Sequence, residues 1–248
     1  MGNSFANGVV SQIHAHRSVR QYTDDPVRDE DIVSAVAAGQ AAATSSAVQP
    51  YSVLRITAMD KRAKIAQLCG PQAKVQECPE FFILCADLRR HALIFKQAGK
   101  TYDQRLEVFM IAVIDTSLLA QNVVLAFESM GYGTCYIGGL RNNLPEVDAV
   151  LGLPQLVCPI YGLCVGRPAQ EPQPRPRLGT EAILFENSYP DDETILASVA
   201  TYDAAYKAYM EARGAKPNTW SQAILSKFAS VMRPGLAAYY TSKGVRLE

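Results

Sequence analysis

The stretch QRLEVFMIAVIDTSLLAQNVVLAFESM, residues 104–130, decides how the rest of the chain is read. Neither Gly nor Pro interrupts it, so it reads as one continuous helix, about 40 Å long at 1.5 Å per residue. Gly131 supplies the stop. From Val108 to Ile114 every position is apolar. A helix that is greasy all the way round belongs inside a core or across a subunit interface. Asp115 in its middle is expected to cap or pair locally rather than to act as a general acid.

On either side of this helix the pattern alternates between helices and strands. Residues 29–42 read as a helix capped by Asp29, with Ile32, Val33, Val36 and Ala37 on its apolar face. Tyr51 to Ala58 has the β-branched content of a strand, and Glu80 to Ala86 reads as a fully buried one. Asp60 to Leu68 is a short helix ending at Gly70-Pro71. Gly133–Gly138 and Val157–Gly166 are two more strands, separated by a short helix from Pro145 to Leu151. Between Arg167 and Leu178 four prolines enforce an extended arm. Helices are expected again at 198–213, 219–231 and 234–242, carrying Tyr202, Tyr206, Tyr209, Trp220 and Phe228. The sum is an α+β fold, one domain over residues 1–248 with an arm and helical extension from about 167 onward.

Composition narrows the function classes. The 24 basic and 24 acidic side chains cancel, which argues against a bulk electrostatic grip on nucleic acid or an anionic membrane. Charged residues make up 19% against a typical ~25%, which suggests a surface partly hidden by a partner or a ligand. No purely apolar run reaches membrane-spanning length, and Met1 to Gly8 shows no secretory signal. Gly2 invites an acylation reading, but Ala6 stands where the motif wants Ser or Thr. Six cysteines without a C-x-x-C read as reduced, buried thiols, and the default location is the cytoplasm.

Several familiar motifs fail. Gly131-Tyr-Gly133 lacks the third glycine and the following helix of a dinucleotide fingerprint. Gly99-Lys-Thr101 lacks the first glycine of a P-loop, and no G-x-S-x-G elbow exists. His14-Ala-His16 has the spacing that a metal pair on a strand would need, which keeps a metal hydrolase as an outside reading. The plainer account is one solvated histidine and one with a phosphate or backbone partner, with no metal.

His16-Arg17-Ser18-Val19-Arg20 differs in kind. Two guanidiniums, an imidazole and a hydroxyl within five residues suit the bidentate geometry of phosphate. Thr44-Ser45-Ser46 with Gln49 is a second donor-rich loop, and Arg175-Pro-Arg177 ends the arm. All three could converge on one phosphorylated, polyhydroxylated ligand. These segments, together with Tyr136-Ile-Gly-Gly-Leu-Arg-Asn-Asn143 and Leu163-Cys-Val-Gly166, closely resemble the nitroreductase superfamily. The match is to its NADPH-dependent, oxygen-insensitive nitroreductases and flavin reductases, and it runs from about residue 12 to the C-terminus.

The resemblance implies a central mixed, mostly antiparallel sheet flanked by helices, with the long helix at a homodimer interface that holds FMN. It implies that His16, Arg17, Ser18 and Arg20 bind the FMN phosphate and ribityl end, joined by Arg175 and Arg177. Thr44, Ser45, Gln49 and Gln72 would line the flavin. Tyr136, Ile137, Gly138 and Gly139 would run along its ring, where glycine admits close approach. Glu107 matches an acidic position near the flavin and is the catalytic candidate. Arg213 and Lys216 would hold the 2′-phosphate of NADPH, with Arg233 near the site mouth and NADH as a possible alternative donor. The implied activity is ping-pong, two-electron reduction of nitroaromatics, quinones or free FMN. The alternative is a flavin carrier that supplies reduced FMN to partners.

Overall fold

Alternation along the strands sets the layers. In β2 (Glu80–Asp87), Phe81, Ile83 and Cys85 enter one buried cluster while Phe82 and Leu84 enter another. A strand buried on both faces needs helices on both sides, and it has them. The computed structural model describes residues 8–248, so the readings made on residues 1–7, Gly2 included, lie outside the described residues. With β1 (Tyr51–Arg55), β3 (Gly133–Ile137) and β4 (Val157–Gly166), the sheet has the order β1-β2-β4-β3. Among the described residues every pairing between these strands is antiparallel. The parallel component is an isolated bridge from Ser18 to Thr134.

One face of the sheet is covered by α3 (Met59–Leu68), α4 (Ala73–Glu77) and α7 (Leu144–Leu151), through Ile65, Val75 and Val147. The other is covered by α2 (Asp29–Gln40) and α6 (Leu106–Ser129), through Ile32, Ala35, Leu119, Val123 and Phe127. A third cluster joins Phe109 and Ala112 of α6 to Tyr239 and Tyr240 of α10 (Leu236–Ser242). All six cysteines are free thiols and buried.

The long helix is slightly shorter than its sequence suggests. The Asp103 carboxylate accepts from both the backbone N–H and the guanidinium of Arg105, which holds residues 103–105 in a turn ahead of α6. Its length and apolar character would also suit a bilayer. Nine of its residues, Asp115 and Thr116 among them, are instead buried in the fold. The expectation of a helix apolar on every side resolves into two faces. Met110, Ile114 and Leu118, four residues apart, remain 47%, 51% and 42% exposed on the side away from the sheet.

Other boundaries moved for local reasons. Asp29 does not cap α2; Arg28 occupies the cap position, and Asp29 pairs with Arg55 at 2.7 Å. α8 (Asp192–Ala212) starts six residues ahead of the expected helix, because Asp191 accepts from the Thr194 N–H at 2.8 Å. α1 (Gly8–His14) and α5 (Arg89–Gln97) were not anticipated. α5 opens on Arg89 and Arg90, the unfavourable charge for a helix N-terminus. The chain forms two compact units: residues up to Pro172 together with Arg233–Glu248, and Gln173–Met232. The second unit is built on α8 and α9 (Trp220–Phe228), where Tyr202 meets Trp220 edge-on at 5.5 Å.

Candidate active site

α6 carries, among its apolar residues, a series of polar side chains that hold the predicted site segments. Asp115, 2% exposed, accepts from the Thr44 hydroxyl and, at 3.2 Å, from the Ser45 N–H. Ser117 shares a 3.0 Å hydrogen bond with Tyr161, whose ring meets Tyr136 edge-on at 5.1 Å. Glu128 accepts from His16 Nδ1 at 2.7 Å and from the Thr134 hydroxyl at 3.1 Å. Asp115 therefore does not pair locally: its partners lie 70 and 71 residues away in sequence.

The 16–20 segment lies against the start of β3. The Val19 N–H donates to the Thr134 carbonyl at 2.9 Å. Gly133 makes this approach possible, since a Cβ there would stand 2.5 Å from Val19 Cγ2. Arg20 is exposed and donates to the Ser18 carbonyl at 3.2 Å, so most of its donors remain available. Arg17 pairs with Glu171 at 3.0 Å. A carboxylate can only accept, so His16 Nδ1 carries the proton it shares with Glu128.

The 44–49 loop is strained. Ser46, Ala47 and Gln49 have φ of 47°, 56° and 49°, a region that non-glycine residues seldom occupy. Such strain persists where the surroundings over-determine it and is common at functional sites. The Gln49 N–H donates to Thr44 Oγ1 at 3.1 Å. The Thr44 hydroxyl and the Ser45 N–H are thus already engaged in donating to Asp115. The loop offers a ligand fewer donors than its sequence suggests, leaving chiefly the Ser45 and Ser46 hydroxyls and the Gln49 side chain.

β3 ends in the Gly138–Gly139 turn. A Cβ on Gly139 would run into the Cys69 carbonyl and the Gln72 amide, so its absence lets the 69–72 loop close on the turn. Gln72 is held there by donating to the Cys69 carbonyl at 2.9 Å. Gly138 is different: a Cβ would meet nothing nearer than Arg141 Nη2 at 3.7 Å. Its missing side chain relieves no crowding and leaves the backbone open. In front of it is a cavity of about 360 Å³, lined by Ser117, Gln121, Tyr136, Gly138, Arg141 and Tyr161.

Arg233, φ 51°, donates to the Gly138 carbonyl and to Asn142, both at 3.0 Å. Arg141 donates to the Ile160 carbonyl at 2.5 Å. Burial, and then the neighbouring Arg141, pull the Arg233 pKa below its ordinary value. Among the described residues neither guanidinium has a carboxylate partner. Paired cations without a counter-charge beside an open backbone form a place for an anionic or electron-rich group.

Arg175, Arg177, Arg213 and Lys216 belong to the second unit. There the Tyr202 hydroxyl donates to the Pro176 carbonyl at 2.8 Å and pins the Arg175–Arg177 segment to α8. Arg175 and Arg213 both approach the Tyr209 ring, at 6.0 and 5.3 Å from its centre. The tyrosine stripe read as packing also gathers these two arginines. Glu107 is exposed in the first turn of α6. No cluster of three potential metal ligands occurs among the described residues, and His16 is committed to Glu128.

Sequence reading missed the residues that hold the others in place: Glu128, Ser117, Tyr161 and Gln72's acceptor, the Cys69 carbonyl. The first three are ordinary residues in apolar helices and strands, and only their contacts across the fold single them out.

Fold and site define an α+β protein with an uncompensated positive site against an open glycine turn. A nitroreductase family profile matches residues 13–167, and a profile of that family's C-terminal domain matches residues 175–248. The chain belongs to the nitroreductase family. It is 39% identical to an NADPH-flavin oxidoreductase of Vibrio harveyi, over 96% of this chain and 98% of that one. An oxygen-insensitive NADPH nitroreductase of Salmonella typhimurium is 38% identical, over 92% and 94%. Among solved structures, a nitroreductase from B. subtilis superposes with a TM-score of 0.93 at 38% identity, covering 96% of this chain and 99% of that one.

Proposed function

We propose that this chain is an FMN-dependent reductase that oxidises NADPH, with NADH as a second donor. It reduces nitroaromatics, quinones or free flavin in two-electron steps, and its kinetics are ping-pong because donor and acceptor use one site in turn. The observation that carries this reading is the Gly138–Gly139 turn, open in front and flanked by Arg141 and Arg233 without a counter-charge. The relatives named as NADPH-flavin oxidoreductase and FMN reductase (NADPH), the latter from Bacillus subtilis, support it.

The residues fit the cofactor. Arg17, Ser18 and Arg20 would hold the FMN phosphate. His16 would meet the ribityl end through Nε2, because Nδ1 is engaged by Glu128. Ile137, Gly138, Gly139 and Tyr136 would run along the ring, with Gln72, Thr44, Ser45 and Gln49 at its edges. Bound FMN would supply the capacity to take a hydride from the nicotinamide and pass two electrons to the acceptor. Arg141 and Arg233 favour negative charge beside the turn, which promotes paired over single-electron transfer. Glu107 is the acidic group on the acceptor side, and Arg213 with Lys216 would read the 2′-phosphate.

The active form is a homodimer. Asp115 and Glu128 are 13 positions apart, about 20 Å along the helix, so one chain holds its 44–45 loop far from its 16–20 segment. Two copies pairing through the Met110–Ile114–Leu118 face would let one protomer's loop complete its partner's site. Reduced thiols and dependence on a nicotinamide donor fit the cytoplasm.

The purified protein should be yellow, bleach anaerobically with NADPH and regain its colour when a nitroaromatic is added. A colourless protein that takes up no FMN would sink the proposal. A yellow one that bleaches but passes electrons to no acceptor would mark a carrier.

A further inference from the structure

His16 has a place in the proposed function, but Glu128 has none. Glu128 stands in the last turn of α6. A single oxygen of its carboxylate, Oε1, accepts from His16 Nδ1 at 2.7 Å and from the Thr134 hydroxyl at 3.1 Å. The Glu128 side chain is 12% exposed and that of His16 28%, so the pair leans from the interior towards a surface that a ligand can reach. The backbone joins the 16–20 segment to β3 without them. The Val19 N–H donates to the Thr134 carbonyl at 2.9 Å, and Ser18 bridges the same residue. Losing the carboxylate therefore leaves the segment docked and frees the ring. An imidazole with no partner on Nδ1 can turn over about χ2, which puts Cε1 where Nε2 stood. It can also carry its proton on the other nitrogen, since the bond made by one ring nitrogen decides which is protonated.

We infer that Glu128 is the positioning residue for His16: its Oε1 keeps Nδ1 turned inward and leaves Nε2 to the ribityl chain of FMN. The inference rests on the proposed function, which brings the flavin to His16. What Glu128 supplies is an acceptor at a set distance, not a negative charge. Glutamine keeps that acceptor in its own Oε1 and can meet both donors. Aspartate keeps the charge but stands one methylene short of the ring.

The test titrates FMN into flavin-free protein, read by quenching of the flavin fluorescence. Glu128→Ala and Glu128→Asp should each weaken binding about tenfold, the worth of one well-made hydrogen bond. Glu128→Gln should rescue it to within about twofold of the wild type. A residue that acts through His16 loses its effect once His16 is gone. In a His16→Ala background, Glu128→Ala should therefore change the affinity by less than about twofold, whereas a general loosening of the fold would cost as much in either background. Nitrogen NMR of the flavin-free protein with isotope-labelled histidine gives a second reading. The chain has only His14, His16 and His91 to resolve, and the His16→Ala variant assigns the signal. His16 should hold its proton on Nδ1 in the wild type and in Glu128→Gln, and lose that fixed state in Glu128→Ala. An unchanged FMN affinity in Glu128→Ala, a full loss in Glu128→Gln, or additive losses in the double variant overturns the inference. So does a bare Nδ1 on His16 in the wild type. If the wild type binds no FMN while His16 keeps its proton on Nδ1, the failure lies in the proposed function instead.

Discussion

Asp115 shows how a buried charge can serve a site without touching a ligand. Its hydrogen-bond partners are Thr44 and Ser45, neither of them a cation, and their bonds compensate its desolvation. Asp115→Asn puts an amide donor against donors. The change should cost about 1.5–3 kcal/mol and should weaken FMN binding through the loosened loop. Urea unfolding and flavin fluorescence would read the two effects, and an unchanged midpoint would remove this role. Asp103 makes a separate prediction. Hydrogen bonds from the Arg105 guanidinium and backbone pull its pKa from the usual 3.8 to about 2. Its contribution to stability is therefore present above pH ~4 and lost as the pH falls towards 2. Asp103→Asn should lose that acid-range component, and a carboxyl titration near the ordinary value would contradict it. The Asp115 partnership was hidden in the sequence because its partners are far away along the chain. By contrast, the 16–20 cluster was legible because its chemistry is concentrated in five consecutive residues.

Elements with strong periodicity were legible and those with weak end signals were not. β4 falls at the expected residues, 157–166, because Gly166 and the preceding apolar run mark both limits. α5 carries basic residues where a helix prefers acidic ones, and its formation comes from tertiary packing around Phe95 and Tyr102. α6 was legible in length but not in its division between two apolar faces, since composition cannot show which face the sheet takes. Its outward face bears the dimer prediction. Ile114→Glu places a charge at the middle of the stripe and should convert a dimer into monomers at micromolar concentration, with loss of bound FMN. Light scattering would show the mass, and a variant that stays dimeric would refute pairing through this face.

At the scale of the molecule, neutrality conceals local imbalance. Arg141 and Arg233 stand together beside Gly138, and Arg175 and Arg213 share the ring of Tyr209. Arg213→Ala should raise the KM for NADPH about tenfold or more and leave that for NADH nearly unchanged. Equal effects on both would refute a 2′-phosphate contact. The sequence could not reveal this pairing, because Arg175 and Arg213 are separated by the whole length of α8. The docking of residues 18–19 onto β3 has a further consequence. β3 is an edge strand of the sheet, and the Val19–Thr134 bond occupies its start. Lifting that segment would bare unpaired backbone groups to other chains, a template for intermolecular strand addition. A segment assigned to grip the cofactor would then also guard against aggregation, and flavin-depleted protein should be the first to form insoluble β-rich material on warming.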